Sequence, residues 1–219
     1  MEPISSSLVA DTLNCLAEDF EFAAVKIGML GTADVVTAVV DFLERYRPPN
    51  VVLDPVLFSS SGHELLEIGG RQLVVDRLLP LTRVVTPNIA EARMLADLAG
   101  GRPQPKGEDL EDYWEMAAAL LKAGAENVVI TGGHQRPPTD LLFTAEGKRI
   151  EFPGRFVYSE STHGTGCAFS SALACKLAQG QTVEESVRQA KDYVSRALIS
   201  AYRIGKGTGP LNHFPPRQT

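Results

Sequence analysis

Four short runs rich in β-branched residues alternate with segments of helical periodicity along most of the chain. The runs are AAVKIG (23–28), NVVLDPV (50–56), TRVVTPN (82–88) and ENVVITGG (126–133). Continuous apolar runs of this length, punctuated by glycine or proline, are typical of parallel strands covered on both faces. Two later runs, DLLFT (140–144) and RIEFP (149–153), are separated by AEGK and predict a hairpin with glycine in its turn.

Apolar residues between these runs recur at the spacing of one helix face. Helices are predicted at the segment PISSSLVADTLNCLAED, over residues 32–46 and 109–124, and in the long pattern that opens at Thr182. Thr182 and Glu185 have the spacing of a capping box, and Gly124 stands where a helix ends. Repeated strand–helix–strand units therefore predict an open α/β sheet with helices on both faces.

Length and composition limit the class of protein. The 219 residues suit one domain with a sizeable core, and the Pro/Gly-rich residues 99–109 are predicted to form a surface loop between two helices. The net charge of −6 argues against nucleic acid and against an anionic membrane surface as the main partner. No apolar run approaches the roughly 20 residues that span a bilayer. Three cysteines without a disulfide or metal spacing predict a cytoplasmic protein.

Polar clusters follow the predicted strands at the points where the strands end. Asp54 follows the second strand, Asn88 and Glu91 follow the third, residues 131–134 follow the fourth, and residues 163–167 precede a late helix. Ligands of open α/β sheets bind outside the carboxyl ends of the strands. We therefore expect these clusters to share one edge of the sheet and to form one site.

The glycine-rich loop HGTGC carries the most distinctive chemistry. Gly164 and Gly166 allow a tight turn, and a helix that begins at Thr165 to Cys167 adds the positive end of its dipole. Together they predict an anion hole that stabilises a transferring phosphoryl group. For this motif alone, a plain loop in front of a buried helix is the stronger interpretation; the other strand-end clusters reverse that weighting.

Cys167 is the unusual residue of this loop. A thiol at a helix N-terminus is expected to have a lowered pKa and could act as a general base toward a substrate hydroxyl. The alternative is a small core residue, which is the role expected for Cys15 and Cys175.

Oxygen-bearing side chains at two strand ends suit Mg²⁺. Asn88 and Glu91 are spaced i, i+3 and point the same way in a first helical turn. Taken alone, a capping box formed by these two residues is the stronger interpretation. Asp54, which precedes a proline that stops the strand, could hold a metal-bound water or could be a simple turn carboxylate.

Several stretches occur in the order found in one known family. VVLDPV, TPNIAEA, VVITGGH, HGTGCAFSSALA and GTGPLNHF, with AVKIGMLG near the start, resemble hydroxymethylpyrimidine/phosphomethylpyrimidine kinases of thiamine biosynthesis. The resemblance runs from about residue 3 to residue 214, and GTGC is its most specific element. Related sugar kinases of the ribokinase-like fold usually carry Asp in place of Cys167, and so do many pyridoxal kinases.

The resemblance implies a ribokinase-like three-layer α/β/α fold and a two-step reaction. ATP and Mg²⁺ would phosphorylate 4-amino-5-hydroxymethyl-2-methylpyrimidine and then its monophosphate. By resemblance, Cys167 is the base of the first transfer and Gly164, Thr165, Gly166 and Cys167 form the anion hole. The other implied site residues are Asn88 and Glu91 at Mg²⁺, Asp54 near the phosphates, Thr131 and Gly133 at ATP, and Met29 and Val56 on the pyrimidine ring.

The chain departs from the family pattern at its start and at three positions. Family members open with a strand and a GSDxSGGAG-type loop, whereas this sequence begins after them. We therefore expect a single domain over residues 1–219 that lacks the first βα unit, with unpaired strand edges that a partner could cover. Ser60 and Thr131 stand where lysine is typical, and Thr208 stands where histidine is common.

Three functions remain open from the sequence. The leading hypothesis is the pyrimidine kinase, acting in the cytoplasm on a small molecule and ATP, with a homodimer as a further expectation. The nearest alternative is a pyridoxal or pyridoxine kinase with the same site layout. The third is a non-catalytic, ligand-binding remnant of such a kinase.

Overall fold

The six predicted strands form one continuous sheet in the computed structural model, which describes residues 3–59, 62–100, 110–132 and 137–216. The strands are β1 (Val25–Ile27), β2 (Val51–Leu53), β3 (Val84–Val85), β4 (Asn127–Ile130), β5 (Thr139–Thr144) and β6 (Arg149–Pro153). Strands β1 to β4 pair in parallel, whereas β5 and β6 pair antiparallel. The predicted parallel sheet and hairpin are confirmed.

The helices lie where the sequence predicts them, except for α3 and the turns that continue it. They are α1 (Ser6–Asp19), α2 (Ala33–Tyr46), α3 (Ile68–Leu73), α4 (Ile89–Leu98), α5 (Leu110–Lys122), α6 (Thr165–Ala178) and α7 (Val183–Ile199). Thr182 caps α7 by accepting a hydrogen bond from the N–H of Glu185. A π-helical turn at Val74–Leu78 and a 3₁₀ turn at Leu79–Leu81 continue α3, in a stretch for which the sequence predicts no element.

Two hydrophobic clusters on opposite faces of the sheet make the molecule three layers thick. Val52 and Val84 face a cluster that includes Leu173 of α6 and Val187 of α7. Their strand neighbours, such as Leu53, face the larger cluster built from α2 to α5. Successive strand residues point to opposite faces, so both must be apolar when both faces are covered. Each such buried side chain contributes about 1.5–3 kcal/mol to the free energy of unfolding.

Strand β1 is the first strand of the sheet order. In the part of the chain that the structure describes, β1 pairs with β2 alone, and the sheet has no gap between β1 and β6. The expectation of an absent opening strand, and of one domain over the whole chain, stays a prediction. Residues 101–109 of the predicted surface loop lie outside the described residues. None of the helices in the described ranges combines the length and apolarity that crossing a bilayer requires.

Candidate active site

The predicted polar clusters meet at the carboxyl edge of the parallel strands. Asp54 follows β2 directly, Asn88 caps α4 after β3, and Thr131 follows β4. Asn88 and Thr131 form a parallel bridge, which places the ends of β3 and β4 side by side. Cys167, in the first turn of α6, lies at the same edge. The charges of Asp54 and Glu91 both affect the pKa of its thiol.

Asp54 is a buried carboxylate beside three groups that can donate to it. The whole residue is 6% exposed. The Oδ2 atom accepts a hydrogen bond from Ser170 Oγ at 3.0 Å and lies 3.3 Å from Lys26 Nζ. The Asp54 carbonyl accepts from the N–H of Val56 at 2.8 Å, which closes a tight turn after the strand. This turn and α6 together aim the carboxylate into the site.

Cys167 lies at the mouth of α6 and is exposed rather than packed in the core. Gly164, the N-cap of α6, adopts a left-handed conformation with φ 83°, which the absence of a Cβ permits. Partial desolvation raises the pKa of the Cys167 thiol, and the negative charge of Asp54 and a hydrogen bond with its side chain add to this rise. Lys26 opposes the rise without overcoming it. The prediction of a lowered thiol pKa is therefore wrong, because the helix terminus does not act alone.

The two other cysteines are also exposed, so their predicted core roles are wrong. Cys175 falls on the outward face of α6, whose buried side includes Leu173, Ala174 and Leu177. Cys15 lies on α1, which has no fully buried residue because the helix rests on α2 at the surface.

Asn88 and Glu91 form the capping box that their spacing permits. Asn88 Oδ1 accepts from the Glu91 N–H at 3.0 Å, and Glu91 Oε2 accepts from the Asn88 N–H at 3.0 Å. Burial, with a smaller contribution from the charge of Asp54, raises the pKa of Glu91 from its ordinary value of 4.5 to about 7. Hydrogen bonds from the backbone of Asn88 and Leu57 oppose this rise. Glu91 thus caps the N-terminus of α4 and also adds a second carboxyl group to the site.

These side chains fit a divalent cation that is shared with a ligand. Within residues 3–59, 62–100, 110–132 and 137–216, no three His, Cys, Asp or Glu side chains are grouped so that they could hold a metal ion. Burial first, and then the charge of Asp54, raises the pKa of Glu91, so a second negative charge at this place is unfavourable without a cation. Mg²⁺ commonly takes one or two carboxylates and fills its remaining positions with water and phosphate oxygens. The donor set suits that mode of binding.

Thr131 and Gly132 form the described part of the predicted nucleotide loop. Thr131 is half-buried, and both its N–H and its Oγ1 donate to the Pro87 carbonyl, at 2.9 Å and 3.4 Å. The Gly132 N–H donates to Asp140 Oδ1 at 2.9 Å, and Asp140 Oδ2 in turn pairs with Lys191 Nζ at 2.7 Å. Gly133, the other predicted ATP-binding residue, lies outside the described residues.

The two predicted ring contacts both follow strand ends. Met29 comes two residues after β1 and is 50% exposed. Val56 follows the Asp54–Pro55 turn after β2 and is half-buried. The positions suit an apolar ring, and the contact itself stays a prediction.

Comparisons with known proteins identify the family. A sequence model of the family described as phosphomethylpyrimidine kinase matches residues 1–212. A hydroxymethylpyrimidine/phosphomethylpyrimidine kinase from Haemophilus influenzae is 36% identical over 219 residues, covering 98% of this chain and 79% of the relative. The chain belongs to the phosphomethylpyrimidine kinase family. It is thus a kinase by family, as the sequence resemblance implies.

Solved structures support the ribokinase-like fold expected for a phosphomethylpyrimidine kinase. An ADP complex of Bacillus subtilis pyridoxal kinase superposes with a TM-score of 0.84 at 27% identity, covering 97% of this chain and 77% of that protein. The phosphomethylpyrimidine kinase from Clostridium difficile superposes with a TM-score of 0.73 at 29% identity, covering 90% and 78%. The predicted fold class is confirmed.

Two residues of this kinase site are absent from the sequence interpretation. Lys26 is the charged residue inside the otherwise apolar run AAVKIG, which is a signal that its ammonium group has a specific partner. Ser170 lies three residues after Cys167 and therefore on the same helix face. Both residues contact Asp54, which lies in a different part of the sequence, so the sequence around Lys26 or Ser170 does not predict the contact.

The departures from the family pattern fall on different parts of the molecule. Ser60 lies outside the described residues. Thr131 is the half-buried strand-end residue described above. Thr208 is exposed, and its neighbour Gly209 accepts from the His163 N–H at 3.2 Å, beside the loop that leads into α6. Nothing in the structure explains threonine at position 208.

Proposed function

We propose that this chain uses ATP and Mg²⁺ to phosphorylate 4-amino-5-hydroxymethyl-2-methylpyrimidine and then the resulting monophosphate. The observation that carries the proposal is the exposed Cys167 thiol, hydrogen-bonded to the buried Asp54 carboxylate at the mouth of α6. The name of the Haemophilus influenzae relative, a kinase for both pyrimidines, supports this choice of substrate.

Cys167 and Asp54 act as one proton-accepting unit in the first transfer. The raised pKa of Cys167 keeps its thiol protonated at neutral pH, so a thiolate is not available as the base. When the acceptor hydroxyl gives its proton to sulfur, the proton of the thiol passes along the hydrogen bond to the Asp54 carboxylate. The hydroxyl oxygen then uses the freed electron pair to form a bond to the γ-phosphorus of ATP. The bond from that phosphorus to the β,γ-bridging oxygen breaks at the same time, and ADP leaves with its electron pair. The second acceptor is already an anion and does not need this step.

The N-terminus of α6 provides the anion hole. Gly164 has no side chain to cap the helix, so the N–H groups of Thr165, Gly166 and Cys167 are left to bind a ligand. Such preorganised donors stabilise charge that develops on a transferring group.

Asn88 and Glu91 would hold Mg²⁺ through bound water, with their orientation fixed by the capping box, and Asp54 would lie near the phosphates. A bound Mg²⁺ neutralises charge on the donor phosphates. Thr131 and Gly133 would line the ATP site.

A pyridoxal kinase activity is the second candidate. It is favoured by the TM-score of 0.84 to the ADP complex of Bacillus subtilis pyridoxal kinase. Both candidates need the same transfer site and differ in the ring that packs near Met29 and Val56.

We also propose that the kinase is cytoplasmic and homodimeric. The three free cysteines suit a reducing compartment. Ile4, Leu8 and Phe20, at and near α1, are exposed apolar side chains of the kind that subunit interfaces cover. Sedimentation equilibrium tests the oligomeric state, and a monomer at all concentrations would contradict a homodimer.

A turnover assay tests the proposed function. The full chain is incubated with ATP, Mg²⁺ and either the hydroxymethylpyrimidine or pyridoxal, and products are separated and weighed by mass spectrometry. We expect the pyrimidine monophosphate and then the diphosphate, with a higher kcat/KM for the pyrimidine than for pyridoxal. A preference for pyridoxal would select the second candidate, and nucleotide binding without turnover of either would identify a non-catalytic remnant.

A further inference from the structure

Lys26 reaches the site from the edge strand. Its neighbour Ile27 is buried in the larger core cluster, so Lys26 points to the other face of β1. Its side chain extends along the strand over Gly28. A Cβ on Gly28 would lie 2.7 Å from Lys26 Nζ and 3.9 Å from Lys26 Cε. The glycine therefore leaves the space through which the ammonium group reaches the carboxyl edge of the sheet.

The contact of Lys26 with Asp54 is loose and open to a ligand. Nζ lies 3.3 Å from Asp54 Oδ2, and the Lys26 side chain keeps 22% of its surface exposed while that of Asp54 keeps 8%. Asp54 Oδ2 is also held by Ser170, so the carboxylate retains a donor if the ammonium group moves. Lys26 can therefore turn toward a second anion without leaving Asp54 unpartnered.

The charges around the Cys167 thiol are unbalanced. Asp54 and Glu91 act on it as negative groups, and Lys26 is the cation that acts on it in the described part of the chain. Two carboxyl groups thus face one ammonium group at the place where the acceptor must sit.

The two acceptors place different demands on this charge. A hydroxymethyl group is neutral, whereas a phosphate monoester carries a charge of about −1.5 to −2 at pH 7. An anionic acceptor is repelled by these carboxylates and by the donor phosphates, whose charge Mg²⁺ offsets only in part, unless a further cation meets it. The neutral acceptor meets no such repulsion.

We propose that Lys26 binds the phosphate group of the monophosphate acceptor and so determines how well the second transfer proceeds. This inference rests on the proposed function. In the second transfer the ammonium group exchanges part of its contact with Asp54 for a contact with the incoming phosphate. In the first transfer it stays on Asp54. Lys26 is thus a residue that distinguishes the two substrates of one site.

Kinetics of Lys26→Met with each acceptor tests the proposal. We expect kcat/KM to fall about 100-fold or more for the monophosphate and less than about tenfold for the hydroxymethyl compound. Lys26→Arg is expected to restore most of the second transfer, because it keeps the positive charge. Lys176→Met is the matched control, since it removes a lysine whose contact is with Gln179 on the surface of α6. The control should leave both transfers within about twofold.

The outcomes separate this inference from the proposed function. If the unmodified chain makes no monophosphate from the hydroxymethyl compound, the proposed function is wrong and the inference falls with it. If the unmodified chain performs both transfers and Lys26→Met lowers them equally, the inference alone is overturned.

A second measurement uses the unmodified chain and so does not depend on the folding of a variant. Lysines are acetylated in the presence of each acceptor and mapped by mass spectrometry. The monophosphate should slow acetylation of Lys26 several-fold while the hydroxymethyl compound does not. Equal modification of Lys26 with both compounds contradicts the proposal.

Discussion

Two partly buried Lys–Asp pairs lie at this edge of the fold, and they differ in how completely their charges are satisfied. Lys191 Nζ lies 2.7 Å from Asp140 Oδ2, with side chains 15% and 9% exposed. Lys26 Nζ lies 3.3 Å from Asp54 Oδ2, with side chains 22% and 8% exposed. Their burial is similar, so burial alone does not separate a structural pair from a functional one.

The surroundings of the two aspartates make the difference. Both carboxylate oxygens of Asp140 have a donor, one from Lys191 and one from the Gly132 N–H, so this pair ties α7 to the end of β4. Asp54 instead faces Glu91, whose pKa is raised to about 7, and Cys167, whose pKa is raised as well. A pair whose oxygens all have donors fixes a segment, whereas a pair beside two groups with raised pKa values indicates a functional site.

Asp54→Asn should give the largest effect, and it should fall on activity. The change removes the proton acceptor of the first transfer and a negative charge that would lie near Mg²⁺ and the phosphates in both, so we expect the kcat/KM of both transfers to fall about 1000-fold. The free energy of unfolding should change by less than about 1 kcal/mol, because the change also relieves repulsion with Glu91. Steady-state kinetics and urea unfolding measure the two quantities. Unchanged kinetics with a large loss of stability would make Asp54 a structural residue.

Lys191→Met should give the opposite pattern. It leaves Asp140 buried without its counter-charge, so we expect the free energy of unfolding to fall by about 3 kcal/mol. The kcat of the first transfer at saturating ATP should stay within about threefold. Urea unfolding provides the measurement, with Lys176→Met as the control for loss of a surface lysine. A large fall in kcat without a loss of stability would reverse the contrast between the two pairs.

The raised pKa of Glu91 predicts a smaller effect that depends on pH. Between pH 4.5 and about 7 the folded chain binds more protons at this group than the unfolded chain does. Stability contributed by protonated Glu91 is therefore present below pH 4.5 and is lost as the pH rises through 7. We expect Glu91→Gln to remove up to about 3 kcal/mol of this pH dependence. Urea unfolding of the unmodified chain and of Glu91→Gln from pH 4.5 to pH 8, without Mg²⁺, tests this prediction. The same pH dependence of the free energy of unfolding in both proteins would contradict the raised pKa of Glu91.

Ser170→Ala should give the smallest effect. It removes one hydrogen bond to Asp54 and leaves Lys26 in place, so we expect the first transfer to slow about tenfold. Ser171→Ala is the matched control, because Ser171 is the next residue on α6 and is exposed. Equal rates for the two variants would show that Ser170 does not position Asp54.

The sheet and its layers follow from local patterns in the sequence. Short β-branched runs predict all six strands, and runs that are apolar throughout predict helices on both faces. The shared position of Asp54, Asn88 and Thr131 follows from the rule that parallel strands end at one edge. Residues 68–81, which form α3 and the two turns that continue it, carry no comparable signal because they show no clear periodicity.

The electrostatics of the site could not be predicted in the same way. The pKa of Cys167 depends on Asp54, Lys26 and Glu91, which come from three other segments of the chain. A helix-terminus argument considers only the segment that contains the thiol, and it gives the wrong direction here. The exposure of Cys15 and Cys175 was missed for a similar reason, because only tertiary packing decides which helix face is covered.

Kinetics of Cys167→Ala with each acceptor separately tests the central claim, which is that this thiol serves proton removal at the transfer site. We expect the first transfer to fall about 1000-fold and the second to fall less than about tenfold, with Cys175→Ala near the unmodified rate for both. Equal losses in the two transfers would contradict the account, because only the first transfer requires a proton acceptor.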